Sequence, residues 1–159
     1  MIEKIFGTDG IRGVAGKGML SNEKVRLIGY SFAKSMFGNK IGKVFISNDG
    51  RLSCQEIEEN LVYGISQQGS SCVISGLLPT PALSVCINKL NNPEIAAIQI
   101  TASHNPYQDN GMKFFDFKGE KISSQIQKKM EENILQGDVN FSDNIIEKNI
   151  DYSFRDSYR

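Results

Sequence analysis

Three short runs with apolar centres, KVFIS (residues 43–47), SCVIS (71–75) and EIAAIQIT (94–101), are separated by stretches whose apolar residues recur with a helical period. Runs this short and this apolar read as strands covered from both sides. Between the glycine-rich opening and the first run, Val25, Ile28, Phe32 and Met36 share one face of a helix that Ser21 or Asn22 can cap and that Gly38 and Asn39 end. Between the first and second, Ser53 and Glu56 have the spacing of a capping box, Ile57, Leu61 and Ile65 form the apolar face, and Gly69 closes the helix. GLLPTP (76–81) then reads as a rigid loop, with Pro81 in the first turn of a helix reaching about Leu90. Strand, helix, strand, helix is the pattern of a largely parallel sheet with helices on both faces.

A further strand-like run, MKFFDF (112–117), follows EIAAIQIT after only ten residues, 102–111. So short a join leaves no room for a crossover helix, so the two strands are expected to be antiparallel neighbours. The predicted fold class is therefore α/β, a three-layer α/β/α domain with a mixed, largely parallel sheet. A last helix is expected from a Ser124 cap with Gln127 to about Leu135, before Gly137, so the domain is assigned to residues 1–137. Residues 138–159 are polar, offer little core and read as an exit segment.

Charge narrows the function. Eighteen basic residues balance eighteen acidic ones and the pI is near 6.6, so no global field attracts nucleic acid or an anionic membrane, and any anion site is local. Cys54, Cys72 and Cys86 show no CxxC spacing and are expected to be reduced, buried thiols. No apolar run approaches the roughly 18 residues of a membrane span. The opening MIEKIFGTDG has neither a basic leader nor an apolar core, so a soluble, cytoplasmic protein is expected.

The stretch ITASHNPYQDNG (100–111) sets Ser103 beside His104, the sole histidine. Adjacent residues in extended backbone point to opposite sides, no second histidine exists, and the G-x-S-x-G elbow is missing, so a Ser-His hydrolase is disfavoured. One histidine with scattered carboxylates at Asp109, Asp116 and Glu120 does not make a closed zinc site, although Mg²⁺ could bind through a phosphate and carboxylates supplied from elsewhere. The turn dipeptides Asn105-Pro106 and Asn110-Gly111 would by themselves explain a stiff connector. What points further is the placement of Arg12, Arg51 and Lys113 near predicted strand ends, where open α/β sheets gather ligand loops. With glycine-supplied backbone N–H groups they suggest a phosphate site.

The motifs FGTDGIRG (6–13), NDGRLS (48–53), LPTPA (78–82) and TASHNPYQDNGMKFF (101–115) together resemble the N-terminal motifs of the α-D-phosphohexomutase superfamily. The form of the first is similar to that of its phosphoglucosamine mutase branch. The resemblance implies that Ser103 is a phosphoserine that donates its phosphoryl group to a hexosamine phosphate substrate and ligates Mg²⁺. It implies catalytic roles for His104, Lys113 and Arg12, and an active-site loop formed by Thr101, Ala102, Asn105, Pro106, Asn110 and Gly111. Thr8, Asp9, Gly10, Asp49 and Arg51 become candidates for phosphate contact or loop support. A hexosamine or glucose 1,6-bisphosphate is implied as intermediate and activator; phosphomannomutases and phosphoglucomutases remain the alternative branch, and a stand-alone sugar-phosphate-binding module is the third reading. Asn48 departs from the glycine often found before D-x-R. The D-G-D-G-D-R metal loop, the sugar-recognition loop and the C-terminal phosphate loop are absent, so the remaining ligands and the substrate grip are expected from further domains of the same polypeptide.

Overall fold

The computed structural model describes residues 4–137, 139–143 and 148–157. Six strands form one sheet in the order β1-β5-β4-β2-β3-β6, with β1 at Ile11–Val14, β2 at Lys43–Asn48, β3 at Ser71–Leu77, β4 at Ile95–Ile100, β5 at Asp109–Phe115 and β6 at Asn149–Ile150. Strand β2 runs parallel to β3 and β4, and β3 parallel to β6, while β5 is antiparallel to both β4 and β1. The sheet is mixed, as the short join predicts.

Helices α1 (Asn22–Phe37), α2 (Cys54–Gln68) and α4 (Ser124–Gln136) cover one face, burying Ile28, Phe32, Leu61, Ile65 and Met130 against Val44, Ile46, Ile98 and Ile100. Helix α3 (Thr80–Leu90) and the short α5 (Ser153–Ser157) cover the other, with Leu83, Ile87 and Phe154 against Phe45, Val73 and Ala97. Alternation along each strand sends successive side chains into these two cores. All three cysteines are free and buried, and burial, with the Glu58 carboxylate nearby, pushes the Cys72 thiol up to about 12. A thiol reagent is therefore expected to leave Cys72 unlabelled until the chain unfolds.

Where α1 crosses α2, the backbones approach so closely that a Cβ on Gly64 would overlap the Arg26 carbonyl, a backbone atom that cannot swing aside. Gly64→Ala is expected to lower unfolding free energy by about 3 kcal/mol, measured by urea denaturation. A loss below about 1 kcal/mol would contradict this packing.

Four local expectations need correction. Ser53 does not cap α2: its backbone is already helical and its hydroxyl instead accepts a hydrogen bond from Asn110 Nδ2 at 2.8 Å, while Glu56 accepts from Asn22. Helix α4 is capped by Ser123 rather than Ser124, through a 3.2 Å bond from the Ile126 N–H. Strand β5 begins at Asp109, earlier than the apolar run suggests, because Asn110 and Gly111 pair with Gly13 and Arg12 of β1. Last, the polar exit segment does add to the core. Phe141 packs against Tyr30 and Tyr63 beside α1 and α2, β6 covers the β3 edge, Lys148 meets Glu58 at 3.2 Å, and Phe154 stacks on Phe45 on the opposite face. The segment thus crosses from one core to the other around β3.

Candidate active site

Strands β2, β4 and β5 bring their ends together around the connection between β4 and β5. Thr101 and Ala102 are buried at its base, and Ser103, His104, Pro106 and Tyr107 stand exposed at its tip. Ser103 has φ of +54°, left-handed backbone that a serine seldom adopts and that costs about 1–3 kcal/mol unless its surroundings enforce it. Its Oγ accepts a hydrogen bond of 3.1 Å from Arg12 Nη2. Arg12 comes from β1, which runs beside β5 with Arg12 opposite Gly111. Gly111 has no room for a side chain, since a Cβ there would meet the Ile11 and Thr101 carbonyls.

Beneath the tip, Arg51 reaches in from the turn after β2. Its Nη2 donates to the Ser103 carbonyl at 2.7 Å and its Nη1 to the Asn105 and Pro106 carbonyls at 3.0 and 2.8 Å, with Asp109 farther at 3.4 Å. Its Nε pairs with Asp49 at 3.0 Å. Asn110, fully buried, ties the start of β5 to Ser53 and donates weakly to the Cys54 thiol. Partial burial alone would raise the Asp49 carboxyl, but the hydrogen bond from Thr101 and the pairing with Arg51 outweigh it and hold Asp49 below its ordinary value. Because the folded value is depressed, Asp49 stabilises the fold above its unfolded value near 3.9 and loses that contribution as pH falls through the lower folded value. Hydrogen-exchange protection of residues 101–109 is accordingly expected to decline below about pH 4 before the rest of the domain opens. Simultaneous loss throughout the chain would contradict a local role for Asp49.

Lys113 borders a cleft of about 200 Å³ with Asp9, Gly10, Thr80, Lys121 and Gln127, its walls completed by Phe6, Phe114, Phe115 and Ile122. Asp9 and Gly10 also border the adjoining groove that contains Thr8 and Arg12. Gly10 has φ of +99°, and a Cβ on it would overlap the Met112 carbonyl, so this loop can lie on β5 only with glycine there. Lys121 donates its ammonium to the Thr8 carbonyl, which pins the first loop down. Arg12 Nε is buried with no hydrogen-bond partner among the described residues, and Arg12 Nη2, besides meeting Ser103, lies 3.9 Å from Asp9 Oδ2.

The sequence matches the family model described as phosphoglucomutase/phosphomannomutase, alpha/beta/alpha domain I, over residues 3–140. The chain belongs to the phosphoglucomutase/phosphomannomutase family. It is 40% identical over 131 residues to a phosphoglucosamine mutase of Buchnera aphidicola, covering 82% of this chain and 28% of that protein. A phosphoglucosamine mutase of Caldicellulosiruptor bescii is 38% identical over 135 residues, covering 83% and 29%. The crystal structure of a phosphoglucomutase/phosphomannomutase family protein from Burkholderia thailandensis superposes with a TM-score of 0.77 at 27% identity, over 97% of this chain and 34% of the other. The chain thus spans less than a third of the length of the curated relatives it matches.

As a first domain of this family, the chain gathers most of the residues singled out in its sequence. Arg12, Asp49, Arg51, Thr101, Asn105, Asn110 and Gly111 meet in one bonded cluster about Ser103. Lys113 lies on the adjoining cleft without a hydrogen bond to Ser103, and His104 is exposed with no side-chain hydrogen bond among the described residues. Arg51 is turned toward loop carbonyls rather than outward, which makes it a strut. Ser53, Thr80 and Lys121 were not singled out for this site, since Ser53 has the pattern of a helix cap and a lone lysine near a turn carries no distinguishing signal. Among the described residues no group of three or more His, Cys, Asp or Glu could hold a metal ion, so the residues present do not by themselves fit Mg²⁺. No helix of the described residues is long and apolar enough to cross a membrane.

Proposed function

We propose that this chain is the phosphoserine-carrying first domain of a phosphoglucosamine mutase. The observation that carries the reading is the 3.1 Å hydrogen bond from Arg12 to the Oγ of an exposed serine held in left-handed backbone. In the proposed cycle a phosphoryl group leaves Ser103 Oγ for a hydroxyl of glucosamine 6-phosphate: the Oγ–P bond breaks, a sugar O–P bond forms, and the hydroxyl proton passes to a base. The bisphosphate turns over and returns its other phosphoryl group to Ser103, releasing glucosamine 1-phosphate for the synthesis of UDP-N-acetylglucosamine in the cytoplasm. Glucosamine or glucose 1,6-bisphosphate would prime the serine.

A phosphoserine carries about −1.5 to −2 charges. One cation at 4 Å offsets about 4 kcal/mol at an effective dielectric of 20, before desolvation. One partner is too few for a dianion. Arg12 supplies one through Nη2, and Lys113, on the same side of the sheet, supplies a second and is the candidate base. His104 adds a polar group at the tip. Mg²⁺ would add positive charge at the phosphoserine, with its carboxylate ligands and the sugar contacts coming from other domains of the polypeptide, so the 159 residues alone are expected to be inactive.

The identity to relatives named phosphoglucosamine mutase favours glucosamine, whereas the solved relative's name favours a phosphoglucomutase or phosphomannomutase. The polypeptide carrying this domain should be assayed with Mg²⁺ on glucosamine, glucose and mannose 6-phosphates. The proposal expects glucosamine 6-phosphate to have the highest kcat/KM. A preference for glucose or mannose moves the chain to the second reading, and no interconversion of any of them overturns both.

A further inference from the structure

The peptide groups on either side of the Ser103 Cα are each held, and both holds lead to one carboxylate oxygen. On the amino side, the Ser103 N–H donates to Thr101 Oγ1 at 3.0 Å and the Thr101 hydroxyl donates to Asp49 Oδ2 at 2.8 Å. On the carboxyl side, the Ser103 carbonyl accepts from Arg51 Nη2 at 2.7 Å, and Arg51 Nε donates to the same Asp49 Oδ2 at 3.0 Å. Asp49, Thr101, the Ser103 backbone and Arg51 therefore form a closed ring of hydrogen bonds.

The two backbone dihedrals of Ser103 lie between the two fixed peptide groups, so the ring over-determines the conformation that serine would not choose, with φ of +54°. Asp49 is itself anchored, its N–H donating to the Ile100 carbonyl at 3.2 Å, and Arg51 Nη1 ties the far side of the turn at Asn105 and Pro106. A planar guanidinium can serve Asp49 and carbonyls on both sides of the turn because its five donors point along fixed directions. An ammonium on a flexible stem cannot hold that fork. The Arg51 side chain is only 15% exposed and its bonds run to the loop, not to the groove beside Ser103 Oγ.

We propose that Arg51, with Asp49 and Thr101, is a positioning unit for phosphoryl transfer at Ser103. It fixes the serine backbone so that Oγ faces Arg12, and it does not itself touch the transferred phosphate. The proposal rests on the reading of Ser103 as the phosphoryl carrier. Since transfer depends on geometry within about 1 Å, loosening the ring is expected to lower the rate about 100-fold while leaving sugar binding, which is expected from other domains of the polypeptide, nearly intact.

The test uses Arg51→Lys, Thr101→Val and Thr101→Ser in the polypeptide carrying this domain. Mutase kcat and KM, hydrogen exchange of peptides covering residues 101–109, and thermal unfolding are measured together. Arg51→Lys and Thr101→Val are expected to lower kcat about 100-fold with KM within about threefold, and to speed exchange only in that loop. Thr101→Ser, which keeps the hydroxyl, is expected to restore both. A folded Arg51→Lys or Thr101→Val with parent kcat and parent exchange overturns the proposal, as does a loss confined to KM. If Arg51→Lys fails to fold, the Thr101 pair decides by the same readouts. If the parent polypeptide transfers no phosphoryl group, the carrier reading fails, and the exchange data alone then decide whether the ring holds the loop: unchanged exchange overturns it and faster exchange supports it.

Discussion

Ser103→Ala is expected to reduce hexosamine phosphate interconversion by the polypeptide carrying this domain to about one thousandth of the parent rate or less. The residue would be the covalent carrier, and the Thr101 hydroxyl that contacts the Ser103 N–H is not free to replace it, being buried and bonded to Asp49. Ser103 is exposed, and among the described residues its side chain makes one hydrogen bond, accepted from a partly exposed arginine. Stability should therefore change by less than about 0.5 kcal/mol. Activity and thermal unfolding measured on the same preparation separate the two effects. Near-parent turnover in the variant would remove Ser103 from the reaction.

Ending the chain at Gly137 is expected to produce the second large effect, in stability. The deletion takes away Phe141 between Tyr30 and Tyr63, the Lys148 partner of a buried Glu58, the strand on the β3 edge, and Phe154 on Phe45. Loss of one large buried aromatic costs about 3 kcal/mol, which in a domain of this size corresponds to about 10 °C in Tm. The bared β3 edge would also promote association. Phe154→Ala isolates the packing part and should by itself lower Tm by several degrees, while a truncated chain with parent Tm would show that the segment is only draped over the domain.

The core strands and helices were legible because apolar periodicity reports burial. KVFIS, SCVIS and EIAAIQIT lie in β2, β3 and β4, and Val25, Ile28 and Phe32 face the core as their spacing predicts. Strand β1 was not legible: four residues with Gly13 inside carry no pattern, and what makes them a strand is the partner β5 brings to them. Ser53 shows the reverse failure, for the capping spacing is present but the hydroxyl is taken by Asn110, a contact between residues 57 apart that no local rule contains. Phe141 and Phe154 were obscured by the polar residues around them, since isolated aromatics in a charged stretch show no period.

The site divides in the same way. Ser103 and its turn dipeptides were readable from sequence, and Arg12 was readable as a cation. The distinction between Arg12, which meets the serine hydroxyl, and Arg51, which meets the serine carbonyl, was not. Both are arginines in glycine-containing stretches of sequence, and only the three-dimensional placement of Asp49 turns one inward.

The account stands most directly on whether Ser103 accepts a phosphoryl group. The polypeptide carrying this domain, freed of phosphate and incubated with glucosamine 1,6-bisphosphate and Mg²⁺, is digested and its phosphopeptides are sequenced by mass spectrometry. One phosphoryl group on Ser103, absent from Ser103→Ala, is the predicted result. An unmodified Ser103 in a polypeptide that nonetheless interconverts the sugar phosphates, or a phosphoryl group carried on another residue, would contradict the account.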